Sequence, residues 1–199
     1  MTWDDLKIFT LQKIFAVTGD TLVDNSTTSP YLKSMPAVAN EALQLLSTAG
    51  KYIIKSYDVT QDGTDTGLVQ KYDLSTLTTD FYTFRDVYLT TTETYAKTND
   101  YSIEGSSLFV IPSGAIGTWT IYYNAYPQSI TKLTAGSTVL ALDPEVAAII
   151  PLYMASQLYK EDDLAMATMW RNEFEVAREL LFANASLPSI EITHTYEGW

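Results

Sequence analysis

Cysteine is absent from the 199 residues and histidine occurs once. The first absence excludes a disulfide scaffold, a thiolate zinc site and a cysteine nucleophile together. The second leaves a Ser-His-Asp set only His194, near the last residue, where a general base is hard to order. No glycine-rich phosphate loop with a lysine and no Gly-x-Gly-x-x-Gly is present, and the 9 glycines fall at turns. Bases are scarce as well: 12 Lys and Arg stand against 24 Asp and Glu, a net charge of -12. That balance opposes tight nucleic-acid binding, which rests on cations replacing the counterions of phosphate, and it repels anionic lipid. No apolar run approaches the ~20 residues that cross a bilayer. Met1 to Asp5 has neither the basic start nor the apolar stretch of a signal peptide. The expectation is a soluble, cytoplasmic, unlipidated chain without enzymatic activity or cofactor.

What is present suffices for a core, since 46% of the residues are hydrophobic. The length suits one domain, or a body with one sizeable insertion. Thr2 and Asp5 form a capping pair, Asp4 and Asp5 suit a helix's positive end, and Ile8, Leu11, Ile14 and Phe15 make a stripe that Gly19 ends. Asp24 to Pro30 reads as a loop. A second helix is expected from about Ser34, with Pro36 in its first turn and Gly50 closing it. Its stripe of Val38, Ala42, Leu45 and Ala49, widened by Ala39, Leu43 and Leu46, predicts burial on more than one side.

From Lys51 to Lys132 the residues become those that fit a pleated, half-buried surface. Expected strands are Tyr52 to Val59, Leu68 to Leu77 after a hairpin turn at Asp62 to Asp65, and Phe81 to Thr90. The last would place Phe81, Val87 and Leu89 on one face and Tyr82, Phe84 and Tyr88 on the other. Tyr101 to Glu104 and Leu108 to Ile111 read as a hairpin through Gly105, and Gly117 opens a strand to Tyr126. Together they predict five or six antiparallel strands. Many have Tyr and Thr on both faces, which fits either packing within the sheet or a subunit contact.

Asp143, Pro144 and Glu145 combine a capping side chain, proline at the first position and an acid in the first turn. Val146, Ile149, Ile150 and Tyr153 form the stripe of a helix to about Lys160, and Pro151 inside it predicts a kink. Asp162 or Asp163 can cap a last helix whose apolar positions are Ala167, Trp170, Phe174, Ala177 and Leu181. Capping and the helix dipole account for Glu161, Asp162 and Asp163 without a metal. Glu175 can pair with Arg178 across one turn. Residues 185–199 carry alternating Ile190 and Ile192, then Tyr196 and Trp199, a pattern suited to strand addition or groove filling on another chain.

The run from Leu142 through Asp143, Pro144, Pro151 and Asp163, followed by Trp170-Arg171-Asn172-Glu173-Phe174-Glu175, resembles the closing helical hairpin of tailed-phage head-to-tail connector proteins, the adaptor and head-completion family. The strand Gly117 to Tyr123 is similar to segments of the same group. The resemblance implies an α+β chain: a bundle of about four helices, an inserted antiparallel β domain and an extended C-terminal tail. The corresponding parts are a helical pair at 1–50, the β insertion at 51–132, a helical hairpin at 133–184 packing on 1–50, and a docking tail at 185–199. It further implies a non-enzymatic virion protein of the phage neck, made in the host cytoplasm. Such a protein forms a homo-oligomeric ring, by family resemblance a dodecamer, between the portal and a stopper or tail protein. Ile190, Ile192, Tyr196 and Trp199 would dock on the portal, and double-stranded DNA would pass through without being held. A stopper or tail-completion ring is the nearest alternative, and a β-rich receptor or carbohydrate binder is the alternative of another class. For a ring around DNA the acid excess acquires a use, since an acidic wall repels phosphate in transit.

Overall fold

The computed structural model describes residues 1–15, 19, 21–50, 53–64 and 67–184. The chain is α+β. Among the described residues it runs α1 (Trp3–Phe15), α2 (Ser29–Thr48), β1 (Ile53–Asp62), β2 (Val69–Asp73), α3 (Leu74–Leu77), β3 (Phe81–Thr90), β4 (Tyr95–Lys97), β5 (Ser102–Glu104), β6 (Leu108–Pro112), β7 (Ile116–Ala125), α4 (Pro144–Leu158) and α5 (Leu164–Asn184).

α1 starts on a reciprocal cap. The Thr2 amide donates to Asp5 Oδ2 at 2.8 Å, and the Asp5 amide donates to Thr2 Oγ1 at 3.2 Å, so two amides with no intrahelical acceptor are satisfied. α2 begins five residues before the expected Ser34. Asn25 Oδ1 accepts from the Thr27 and Thr28 amides at 2.9 and 3.1 Å, and Pro30 takes the first-turn position expected of Pro36. Pro36 therefore lies buried inside the helix. The buried face centres on Met35, Ala39, Ala42, Leu43 and Leu46, while Val38 and Leu45 are half-buried and Ala49 is exposed.

α4 is the most apolar helix and packs against α1, α2 and α5. Val146, Ile149, Ile150 and Tyr153 are all buried, as their spacing requires. Pro144 opens it as expected, but Asp143 makes no side-chain cap; only its carbonyl accepts, from Ala147 N at 3.0 Å. The helix is continuous through the buried Pro151. α5 is capped by Asp163, whose Oδ1 accepts from Ala165 N and Met166 N at 2.9 and 3.0 Å. Its Phe174 is fully buried and meets Tyr153 edge-on at 5.1 Å. The segment after β7 joins this core: Ile130 is buried in it, and both its amide and its carbonyl are held by the Asn40 side chain at 2.7 and 2.8 Å.

The strands form two antiparallel sheets instead of one unit, in orders β1-β7-β3-β4 and β2-β6-β5. They face each other over Val59, Val87, Trp119 and Ile121 from the first and Phe109 and Ile111 from the second. This core shares no residue with that of the helices. Four expectations change accordingly. β1 and β2 belong to different sheets, so Asp62, which accepts from Thr64 N at 2.9 Å, turns a crossover and not a hairpin. Leu74 to Leu77 leaves the strand as a helical turn because Asp73 Oδ1 captures the Ser75 amide at 3.0 Å. Phe84 turns toward the core to meet Tyr101 and Phe109, since register shifts between Phe81 and Thr83 and between Phe84 and Asp86 break the two-residue period. β4 pairs with β3 without having been expected. Tyr52 and Asp65 lie outside the described residues.

Candidate interaction surfaces

Two surfaces carry apolar or aromatic groups that nothing in the described chain covers. The first lies on α5. Its core stripe runs through Ala167, Trp170 and Phe174, and beside it Met166, Met169, Val176 and Leu180 recur at helical spacing with 38%, 42%, 59% and 63% exposure. Glu173 fills the gap in that second stripe. On the other side of the core stripe, Arg171 lies 5.0 Å over the Tyr153 ring and pairs with Glu175 at 2.6 Å, and Glu175 also takes Arg178 at 3.1 Å. Glu175 thus pairs with Arg178 as expected and with a second arginine in addition. Burial pushes the Tyr153 hydroxyl up to about 12, with Glu41 adding to the shift and Arg171 opposing it. In the sequence the second stripe reads as Met166, Met169, Val176 and Leu180 at steps of three, seven and four, interrupted by Glu173, beside the stronger stripe of Ala167, Trp170 and Phe174.

The second surface is the outer face of the four-stranded sheet. In β7, Trp119, Ile121 and Tyr123 point inward, so Thr118, Thr120 and Tyr122 point out. The register sets Tyr122 between Ser56 and Asp86 and Thr120 between Asp58 and Tyr88. Tyr88 stacks on Tyr95 at 5.1 Å and 13°, meets Tyr122 edge-on at 5.6 Å, and the Tyr95 and Tyr122 hydroxyls are 3.4 Å apart. That hydrogen bond, then desolvation and the neighbouring Tyr122, Tyr88 and Asp58, hold the Tyr95 hydroxyl up at about 12. Lys97 bonds Asp86 at 2.5 Å at the edge of the cluster. The two-faced tyrosines therefore resolve by position: Tyr57, Tyr72 and Tyr101 pack on the inner core, and Tyr88, Tyr95 and Tyr122 form an outer patch.

Of the residues in the connector-like motif, Asp143 and Pro144 start α4, Pro151 lies buried within it, and Phe174 locks α5 onto it. The structure brings Tyr153 and Phe174 together and leaves Asp143 exposed. Ile190, Ile192, Tyr196 and Trp199, the expected portal-docking residues, lie outside the described residues, as does His194. In the acidic run Asp163 serves as a cap and Asp162 Oδ2 accepts from the Tyr31 hydroxyl at 2.7 Å. Among the described residues no group of three His, Cys, Asp or Glu side chains is placed to hold a metal ion, and no helix is long and apolar enough to cross a membrane. No protein-family model matches the chain, and no curated protein matches it by sequence.

Proposed function

We propose that the chain is a non-enzymatic subunit of a ring in a tailed-phage neck, an adaptor between the portal and a stopper or tail protein. In this reading residues 1–50 and 133–184 form a four-helix body, 51–132 an inserted β domain and 185–199 the arm that reaches the portal through Ile190, Ile192, Tyr196 and Trp199. The observation that carries it is the second apolar stripe of α5. A ring contact joins two different faces of identical subunits, and a helix with one stripe in its own core and another at its surface supplies one of them. The partner is a further copy of the same chain. Charge supports the placement around DNA: at -12 the chain holds no duplex, and an inner wall on which acids outnumber bases lets one pass.

Replacing Val176 and Leu180 by Glu tests the reading. Both side chains are more than half exposed, so monomer stability should change by less than about 0.5 kcal/mol per site. Assembly on the portal, followed by native mass spectrometry, should be lost. Unchanged assembly by a folded double variant refutes the assignment of this face.

The exposed Tyr95, stacked on the half-buried Tyr88, favours a second reading, a carbohydrate-binding sheet face, because sugar rings pack on such aromatics. Retention on a glycan array that Tyr95→Ala abolishes would support it; an array without hits counts against it.

A further inference from the structure

A cleft of about 570 Å³ opens between the two sheets, a volume within the range of binding sites. Val69, Leu89 and Val110 line it, Ile111 and Trp119 reach it from the core of the sandwich, and the exposed Asp100 stands at its mouth. Asp100 is the one charged group among the described residues of the lining. No described lysine or arginine pairs with it. An apolar cleft with a free acid at its rim fits an apolar group carried beside a cation.

The chain presents such a group beyond the far end of β7. Leu133 is 95% exposed. Its neighbour Lys132 is exposed as well and pairs with no described carboxylate. The two form the tip of a tight turn. Thr134 N donates to the Thr131 carbonyl at 3.1 Å, Leu133 N to Thr131 Oγ1 at 3.2 Å, and Thr131 N to Thr134 Oγ1 at 2.8 Å. Just before it, Ile130 is anchored in the helical core by Asn40. The turn is thus already ordered, and docking it costs little further conformational entropy. Within one molecule it stays away from the cleft. From Trp119 six residue steps of β7 lead to Ala125, about 20 Å of strand, and the chain then passes to the helices that hold Ile130.

From these observations we infer that the turn of one copy docks in the cleft of the next, with Leu133 against Ile111 and Trp119 and the Lys132 ammonium beside the Asp100 carboxylate. The two surfaces differ, so the contact is heterologous, as a ring requires. Each copy gives a turn to one neighbour and a cleft to the other. The inference rests on the ring reading for its partner, a further copy of the chain, and adds a contact at the β domain to the one at α5.

Two full-length variants test it, Asp100→Cys and Lys132→Cys, in a chain with no cysteine of its own. They are mixed at about 1 mM, a concentration that populates even a contact of millimolar Kd, and oxidised. The mixed disulfide should exceed either like pair by at least about tenfold, because only unlike surfaces meet. Leu133→Ser, added to the Lys132→Cys chain, should cut the mixed product about tenfold or more, the share of a binding constant that burial of one leucine supplies. Leu133→Met should keep it. Since Leu133 is almost fully exposed, both changes should leave the unfolding curve in place. Mixed and like disulfides in random proportion, no disulfide at all, or a mixed yield that Leu133→Ser leaves unchanged overturns the inference. So does a disulfide within one molecule when both cysteine substitutions are placed in the same chain. No portal is present, so failure here leaves the adaptor reading standing, and that reading fails instead in the portal mixture.

Discussion

Gly117 sits inside β7 at φ +139°, and a Cβ built on it would lie 2.5 Å from the Thr90 carbonyl oxygen across the β3–β7 ladder. Two costs add for Gly117→Ala. The backbone region is one that only glycine populates freely, a strain of about 1–3 kcal/mol. The obstacle is main chain of the neighbouring strand, so relief requires separating β3 from β7, a further cost of about 1–3 kcal/mol if it resembles overpacking. The sum, about 2–6 kcal/mol, is a large share of the stability of a domain this size. Gly105, at φ +66° with nothing within 4 Å of the added Cβ, has only the backbone cost of about 1–2 kcal/mol. Gly114 has open space and no positive φ, and its replacement should shift stability by less than about 0.5 kcal/mol. Urea unfolding of the three alanine variants, followed by circular dichroism, should therefore rank the losses Gly117, Gly105, Gly114. A Gly117→Ala midpoint no lower than that of Gly105→Ala would refute the close approach of the two strands.

Further outcomes follow from the caps, the tyrosines and α5. Asp163→Ala should cost about 1 kcal/mol, because two amides lose their acceptor, whereas Asp143→Ala, which removes no side-chain cap, should cost clearly less in the same assay; equal losses would contradict the capping assignment. Burial, with the Asp162 contact second, raises Tyr31 to about 12, as burial beside Glu41 raises Tyr153. An unfolded tyrosine titrates near pH 10, so the folded chain holds protons that the unfolded one releases, and the stability linked to these groups is whole below pH 10 and falls between pH 10 and about 12. Tyr153→Phe should make that fall shallower in unfolding midpoints measured against pH; an unchanged slope would argue against the buried phenol. The Val176→Glu, Leu180→Glu chain should keep the wild-type unfolding curve while losing assembly, and a large loss of stability would show that the stripe belongs to the chain's own core.

The sequence made local chemistry readable and left non-local pairing hidden. The Thr2 and Asp5 cap, the start of α4 at Pro144 and the stripes of α4 and α5 follow from contacts within a turn or two, and each is present. The start of α2 was misplaced because two prolines, Pro30 and Pro36, compete for one first-turn position and the Asn25 side chain decides between them. The division into two sheets depends on Trp119 meeting Phe109 across them, and no period within one strand encodes that. Phe84 changed face through a bulge, which a two-residue alternation cannot foresee. For the candidate surfaces the situation reverses. The α5 stripe was visible as spacing, but it gains significance only once Ala167, Trp170 and Phe174 are seen to fill the core and leave Met166, Met169, Val176 and Leu180 outside.

The ring reading is most directly tested by native mass spectrometry of the purified chain mixed with its portal. The account predicts a complex in which many copies of the chain sit on one portal ring, even if the chain alone is a monomer, since such rings can assemble on the portal as template. A chain that stays monomeric in the presence of the portal, with no complex at any mixing ratio, would contradict it.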